Sequence, residues 1–234
     1  MTTTTRTEEL KELARDAART YAEAGAEESI RWAFDTFGDD LIVASNMQDA
    51  VLIDLATRAR SDVDVLFLET GYHFAETIGT RDAVAHTYPG ITVVNATADQ
   101  SVAEQDAEHG ARLHDRDPGL CCNLRKVVPL RRTLSGYSCW ITGVRRVDAP
   151  TRADTPIVTW DERNGLVKVN PIAAWTDDEF NDYIVRNGIL ENPLVQDGFP
   201  SIGCAPCTAR VAQGDDPRSG RWAGKSKTEC GLHG

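Results

Sequence analysis

The chain reads as an α/β protein built on an open, mainly parallel sheet. Three observations carry that reading. Short apolar runs recur at 41–44, 63–68 and 91–94. Each is followed by a stretch with helical spacing of its apolar residues, and glycine or Asn/Asp turns separate the two kinds of segment. Strands that alternate with helices imply parallel βαβ units.

Taken in order, 7–37 spells two amphipathic helices, with Leu10, Leu13, Ala17 and Tyr21 on one and Ile30, Ala33 and Phe34 on the other. Gly25 and Gly38 punctuate them. The threonine run at 2–5 is of low complexity and is expected to be disordered. After the strand at 41–44 a helix is expected over 49–60, then a strand at 63–68, a helix at 73–87 and a strand at 91–94. Further strands are expected at 139–143 and 157–160, and 166–169 pairs with the latter as a hairpin across Glu162–Gly165. Thr176 as N-cap with Glu179 three residues on marks a helix over 176–187. Beyond Pro193 the text is rich in Gly and Pro, so 194–234 is expected to fold around a metal centre or to remain mobile.

The 234 residues suffice for one substantial core. The first residues turn polar and charged at once, and no apolar run reaches bilayer length, so a cytoplasmic protein is expected. A net charge of −11 argues against general nucleic-acid binding. The charge is uneven, however. Residues 119–153 carry seven basic side chains (Arg125, Lys126, Arg131, Arg132, Arg145, Arg146, Arg152) against one acid, and Arg218, Arg221, Lys225 and Lys227 form a second cluster. Basic patches on an acidic protein fit a small anionic ligand held in a pocket.

In an open α/β sheet such a ligand sits outside the carboxyl ends of the strands. The first loop there is Ser45-Asn-Met-Gln-Asp49, where a hydroxyl, backbone amides and a helix N-terminus can make an anion site, though no Walker A pattern is present. The second runs from Leu68 through Thr70-Gly71 to Thr77 and includes His73, read as an ordinary residue at the start of a helix.

Six cysteines are the most informative feature. Cys121–Cys122 and Cys204-x-x-Cys207 can supply four thiolates to one metal centre, while Cys230 stands apart near the end as a candidate nucleophile. The spacing leaves zinc, an iron–sulfur group and a redox dithiol open, and vicinal cysteines, uncommon in zinc sites, tilt it toward iron–sulfur. Cys139, on an expected strand beside Trp140, reads as a small buried hydrophobe.

These residues resemble a family. Cys-Cys-x-x-Arg-Lys at 121–126, Gly-Cys-x-x-Cys-Thr at 203–208 and Lys-x-Glu-Cys-Gly-Leu-His at 227–233 are similar to the assimilatory adenylyl-sulfate (APS) reductases, in their actinobacterial form. The stretches ASNMQDAVLIDL, TGYHFAET, ITGVRRVDAPTR and PRSGRW carry the same likeness, which covers about 40–234. The resemblance implies a sheet of the PP-loop adenine-nucleotide hydrolase-like type. It implies a nucleotide-binding domain over 1–193, with 194–234 as a cluster-binding and catalytic tail of that domain. A 4Fe–4S cluster would be held by Cys121, Cys122, Cys204 and Cys207. Cys230 would attack the substrate, with Lys126 and His233 as further catalytic residues. The substrate contacts would involve Ser45, Asp49, Leu68, Thr70, Gly143, Arg152, Arg218 and Arg221.

The implied reaction is reduction of adenylyl sulfate to sulfite and AMP through an S-sulfocysteine, with thioredoxin or a glutaredoxin-like dithiol as reductant. Lys225, Lys227 and His233 lie near enough in sequence to favour the Cys230 thiolate. Where the family often carries an acidic pair, this chain has Gln48-Asp49, which leaves the role of Gln48 open. A cluster-containing 3′-phosphoadenylyl-sulfate (PAPS) reductase and a non-redox PP-loop enzyme with structural zinc are the alternatives. The sequence leaves the oligomeric state open, a homo-oligomer included.

Overall fold

A computed structural model describes residues 3–225, 227 and 231–232. Six strands form one sheet: β1 (Leu41–Ala44), β2 (Val63–Glu69), β3 (Ile91–Thr97), β4 (Cys139–Ile141), β5 (Val158–Asp161) and β6 (Leu166–Val169). Their order is β3-β2-β1-β4-β6-β5, all parallel except β5, which runs antiparallel to β6 as the hairpin reading expected. The order reverses at β1, whose neighbours are β2 on one side and β4 on the other. A crevice therefore opens outside the carboxyl ends of these strands.

Alternation along the strands divides the core. Leu41 and Val43 of β1, Val65 and Phe67 of β2, Cys139 and Ile141 of β4, and Val167 and Val169 of β6 face one layer. There they meet the helices α1 (Thr3–Thr20), α2 (Ala26–Phe37) and α3 (Val51–Ala59), through Ala14, Ala17, Ile30, Ala33, Leu55 and Ala56 among others. The alternate residues Ile42, Leu66, Trp140 and Leu166 face a smaller cluster closed by Leu130 and Leu134. These are period-two consequences of strands buried on both faces. Lys168 shares the second face, its ammonium 5.2 Å from the centre of the Trp140 ring.

The remaining helices are α4 (Ala75–Thr87), α5 (Val102–His109), α6 (Leu113–Arg116), α7 (Pro118–Cys122), α8 (Val128–Leu134) and α9 (Asp177–Asn187). Thr176 caps α9 as its sequence requires, accepting the Glu179 amide while Glu179 reaches back to Thr176. Two expectations change. Residues 3–5 open α1 instead of lying disordered, because the helix continues back from the Leu10–Tyr21 face that packs on the core. His73 precedes α4 instead of starting it. Its Nε2–H donates to the Leu68 carbonyl at 2.8 Å and its ring lies 4.7 Å from Phe67, so the chain turns before the helix begins.

From Asn192 to Lys225 the chain is irregular, and polar pins fix it. Fully buried Asn192 donates to the Met47 carbonyl (3.2 Å) and the Thr77 hydroxyl (3.1 Å), and accepts the Leu194 amide (3.1 Å). Orphaning buried partners costs on the order of 1–3 kcal/mol each. Asn192→Leu is therefore expected to destabilise the protein by about 3 kcal/mol. In urea unfolding the midpoint should fall with an unchanged slope, and a loss under about 1 kcal/mol would show that the pins are dispensable.

Candidate functional site

The loop after β1 is held in a conformation its residues do not favour. Met47, fully buried, has φ 58°, the left-handed region that non-glycine residues rarely adopt. Local bonds over-determine the turn. Ser45 Oγ accepts the Met47 amide (3.1 Å), Asn46 Oδ1 accepts the Gln48 amide (3.1 Å), and Asp49 Oδ1 accepts the Val51 amide (3.1 Å) at the start of α3. Ser45 Oγ, besides accepting the Met47 amide, donates in turn to Met47 Sδ at 3.7 Å, a weak bond that a better acceptor in the crevice can displace.

The loop after β2 turns at Gly71, whose φ of 73° requires glycine and whose amide is held by Glu69 at 2.8 Å. Thr70, fully buried, brings its hydroxyl to 3.4 Å from Cys204 Sγ. After β4, Thr142 donates to Asn170 at 2.5 Å and the chain runs through exposed Gly143 to Arg145. Arg145 pairs with Asp148 (2.8 Å) and Asp177 (2.9 Å), and Arg152 reaches Asp148 at 3.4 Å.

These loops enclose a cavity of about 420 Å³. Ser45, Asp49, Leu68, Thr70, Lys126, Gly143, Arg152, Arg218 and Arg221, expected from sequence as site residues, all line it, together with Cys204. The volume suits a nucleotide-sized ligand. A larger, more open cleft of about 690 Å³ lies between α2, α3 and α9, away from every strand-end loop and cysteine. Its size carries no chemistry.

Lys126 owes its placement to an unusual turn. Pro118 starts α7 and Asp117 caps it (2.8 Å to the Leu120 amide), and the helix then widens into a π-helical turn, Asn123–Val127, before α8. Such turns re-aim side chains within a helix. Cys121 and Cys122 end up buried, and so do Arg125 and Lys126. Lys126 forms part of the wall of the 420 Å³ cavity and of a smaller one lined by Cys121, Cys122, Cys204, Cys207, Tyr72, Arg125 and Trp222.

The second pair of cysteines is set by backbone bonds. Ala205 donates to Tyr72 (2.7 Å), Cys207 closes a tight turn on Cys204 (2.9 Å), and Trp222 returns to Cys207 (3.0 Å). Arg221 donates to Ser201 Oγ (3.3 Å) and the Ile202 carbonyl (3.2 Å), with its guanidinium 4.7 Å from the Trp222 ring centre. The position is open only because residue 203 is glycine; a Cβ there would collide with the guanidinium.

The four thiols thus face one void from two limbs of the chain. Burial, then the neighbouring Cys122, Cys204 and Cys207, pushes the Cys121 thiol up to about 12, and burial raises Cys207 as well. Four thiolates so close need a cationic group among them, which makes the donor set one for a thiophilic metal group. Among the described residues, no three His, Cys, Asp or Glu side chains converge as a single ion would need.

Cys230 and His233 lie outside the described residues. Of their neighbours, Leu232 lines the 420 Å³ cavity and packs on the cluster containing Trp140, and Gly231 accepts a bond from Arg163 at 3.3 Å. Lys225, expected to support the tail thiolate, donates to the His114 carbonyl (2.7 Å) and to Asp115 (3.1 Å). That pairing holds the Asp115 carboxyl well below the ordinary range. Cys139 is fully buried in the core, and burial raises its thiol far above the ordinary value. The sequence reading missed Arg145 as a cavity residue, although its basic cluster pointed there, and Gln48.

A mainly parallel sheet with a cavity at its order reversal defines an open α/β protein of the PP-loop type. Comparison agrees: a FMN adenylyltransferase from Candida glabrata in complex with FAD superposes with a TM-score of 0.57 over 90% of this chain and 79% of that one at 10% identity, a likeness of fold alone. A phosphoadenylyl-sulfate reductase from Candida auris superposes with a TM-score of 0.72 at 27% identity, over 86% of this chain and 97% of that one. Residues 41–210 match the phosphoadenosine phosphosulfate reductase domain. Proteins named adenosine 5′-phosphosulfate reductase are 62% identical in Mycolicibacterium smegmatis (99% of this chain, 98% of the relative) and 58% identical in Streptomyces coelicolor (97% and 96%). The chain belongs to the phosphoadenosine phosphosulfate reductase family and groups with its actinobacterial adenosine 5′-phosphosulfate reductases.

Removal from water by the loop walls, with Glu191 adding repulsion, raises the Asp49 carboxyl from 3.8 to about 6. A raised folded value means that the folded state holds a proton the unfolded state has released. The resulting stability is present below 3.8 and lost as pH rises through about 6. Asp49→Asn removes that loss. Its urea midpoint relative to the parent should therefore rise from about pH 4 to about pH 7, and parallel profiles would show that Asp49 is solvated.

Proposed function

We propose that the protein reduces adenylyl sulfate to sulfite and AMP, with electrons from a cytoplasmic dithiol protein such as thioredoxin. The observation that carries this reading is Lys126, a single cation in the wall of both the nucleotide-sized cavity and the four-thiol void. A substrate with sulfate on phosphate presents two anionic groups, and a thiolate that attacks it approaches like charge. Lys126, Arg152, Arg218 and Arg221, all lining the cavity, would offset that repulsion and stabilise charge developing on the departing phosphate. The Ser45 hydroxyl would turn from Met47 to bind phosphate, with Leu68, Thr70 and Gly143 beside the nucleoside.

Cys230 would be the nucleophile. Its thiolate forms a bond to the sulfate sulfur, the sulfur–oxygen bond to phosphate breaks, and AMP leaves with that electron pair. A thiolate of the reductant then attacks Cys230 Sγ, and sulfite departs with the sulfur–sulfur pair. The reductant's second thiol releases the Cys230 thiolate and leaves the reductant as a disulfide, oxidised by two electrons. His233 would assist as a proton carrier beside Cys230. Leu232, seated on the cluster that contains Trp140, supports delivery of the tail to the cavity.

Cys121, Cys122, Cys204 and Cys207 would hold a 4Fe–4S group. Bound there, it supplies fixed charge and cross-links two limbs of the chain. Lys126, in the wall of both cavities, would sense that charge and bind the substrate's sulfate.

The test is sulfite release from adenylyl sulfate with thioredoxin, with mass spectrometry of the enzyme. Cys230→Ser is expected to abolish both sulfite release and the S-sulfo adduct, and an adduct on that variant contradicts the assignment. Lys126→Ala is expected to lower kcat/KM at least about 100-fold in a folded protein. Near-normal turnover removes Lys126 from the site. Comparison of kcat/KM for adenylyl sulfate and its 3′-phosphorylated form decides the substrate, and a preference for the latter makes the protein a PAPS reductase.

A further inference from the structure

We infer that Gln48 is a positioning residue that couples the nucleotide loop to the metal-binding limb, an inference that rests on the reductase reading above. The Gln48 carboxamide makes a two-point clamp on one strip of backbone. Its Nε2 donates to the Pro200 carbonyl at 3.2 Å and its Oε1 accepts the Ile202 amide at 2.9 Å. The backbone carbonyl of Gln48 also accepts the Asn192 amide at 2.8 Å, and Asn46 Nδ2 reaches the Ile202 carbonyl at 3.5 Å.

The clamped strip matters for what it carries. The Ile202 carbonyl is the same group that receives the Arg221 guanidinium, Gly203 leaves the space that the guanidinium fills, and Cys204 follows at once. On the other side of the clamp, Ser45 and Asp49 of the Gln48 loop line the cavity. A ligand seated on the loop and a metal group held at Cys204 therefore bear on one pair of hydrogen bonds. An interaction that links two sites through a shared element is reciprocal: what steadies one end steadies the other.

The residue type is specific to the task. The clamp needs a donor for Pro200 and an acceptor for Ile202 on one short side chain, which a carboxamide supplies. A carboxylate at 48 would set two acceptors face to face at Pro200.

The experiment is hydrogen exchange across residues 198–206, with and without AMP, on the full chain purified anaerobically. In the parent protein saturating AMP is expected to slow exchange in this segment at least about fivefold. In Gln48→Leu that slowing should vanish at saturating AMP, with exchange in β1 and β2 unchanged. Gln48→Glu, which keeps size and acceptor, should lose most of the slowing, and it decides the matter should the leucine variant not fold. A clamp that served stability alone would speed exchange in the variants but leave the AMP-induced slowing intact. That result overturns the coupling, as does a parent protein in which AMP binds without slowing this segment. Sulfite release by the parent, assayed on the same sample, separates the two ideas. Sulfite release with slowing retained in the variants sinks the coupling alone, and no sulfite with slowing lost only in the variants sinks the reductase reading alone.

Discussion

The site depends on holding an irregular segment against the carboxyl edge of a sheet. Residues 192–222 contain no strand of the sheet and no long helix, so few ladder bonds satisfy their backbone. What fixes them is a set of side-chain and loop bonds: Asn192 to Met47 and Thr77, Gln48 to Pro200 and Ile202, Tyr72 to Ala205, and the bridge between Thr208 and Arg221. Trp222 and Ile202 add buried apolar surface, but the polar pins set the register. Through this segment Arg221 and Cys204 reach a cavity whose other wall comes from β1, β2 and β4, and Cys207 reaches the smaller four-thiol void.

Electrostatics follow from that enclosure. A protein with a net charge of −11 gathers Lys126, Arg145, Arg152, Arg218 and Arg221 around one crevice. The crevice can favour a compact polyanion without the broad basic surface that nucleic acid needs. Carboxylates temper the field: Asp148 binds both Arg145 and Arg152, and Asp49 sits among them with its proton held to a higher pH than usual. The four-thiol void, which repels its own ionisation, lies next door with Lys126 as the shared wall.

Much of this was legible in the sequence, for identifiable reasons. The strands 41–44 and 166–169 were read to the residue because each is a short apolar run with turn residues at both ends. Thr176 announced α9 because a capping box is a local signal. The helices between Val102 and Leu134 went unread, although Ser101 and Glu104 form a capping box, because α5 and α6 are short and mostly polar and α7 spans only five residues. The π-helical turn that aims Lys126 has no sequence signal of its own. Gln48 was opaque for another reason: its partners lie about 150 residues away, at Pro200 and Ile202, and are backbone groups that spell nothing in side-chain language.

The central claim is that two limbs of the chain, around Cys121–Cys122 and around Cys204–Cys207, meet on one iron–sulfur group beside the nucleotide cavity. Iron and acid-labile sulfide analysis of anaerobically purified protein tests it most directly. The account predicts a brown protein with about four iron and four sulfide per chain, both lost together when any one of the four cysteines is replaced. A colourless protein with one zinc per chain would contradict it.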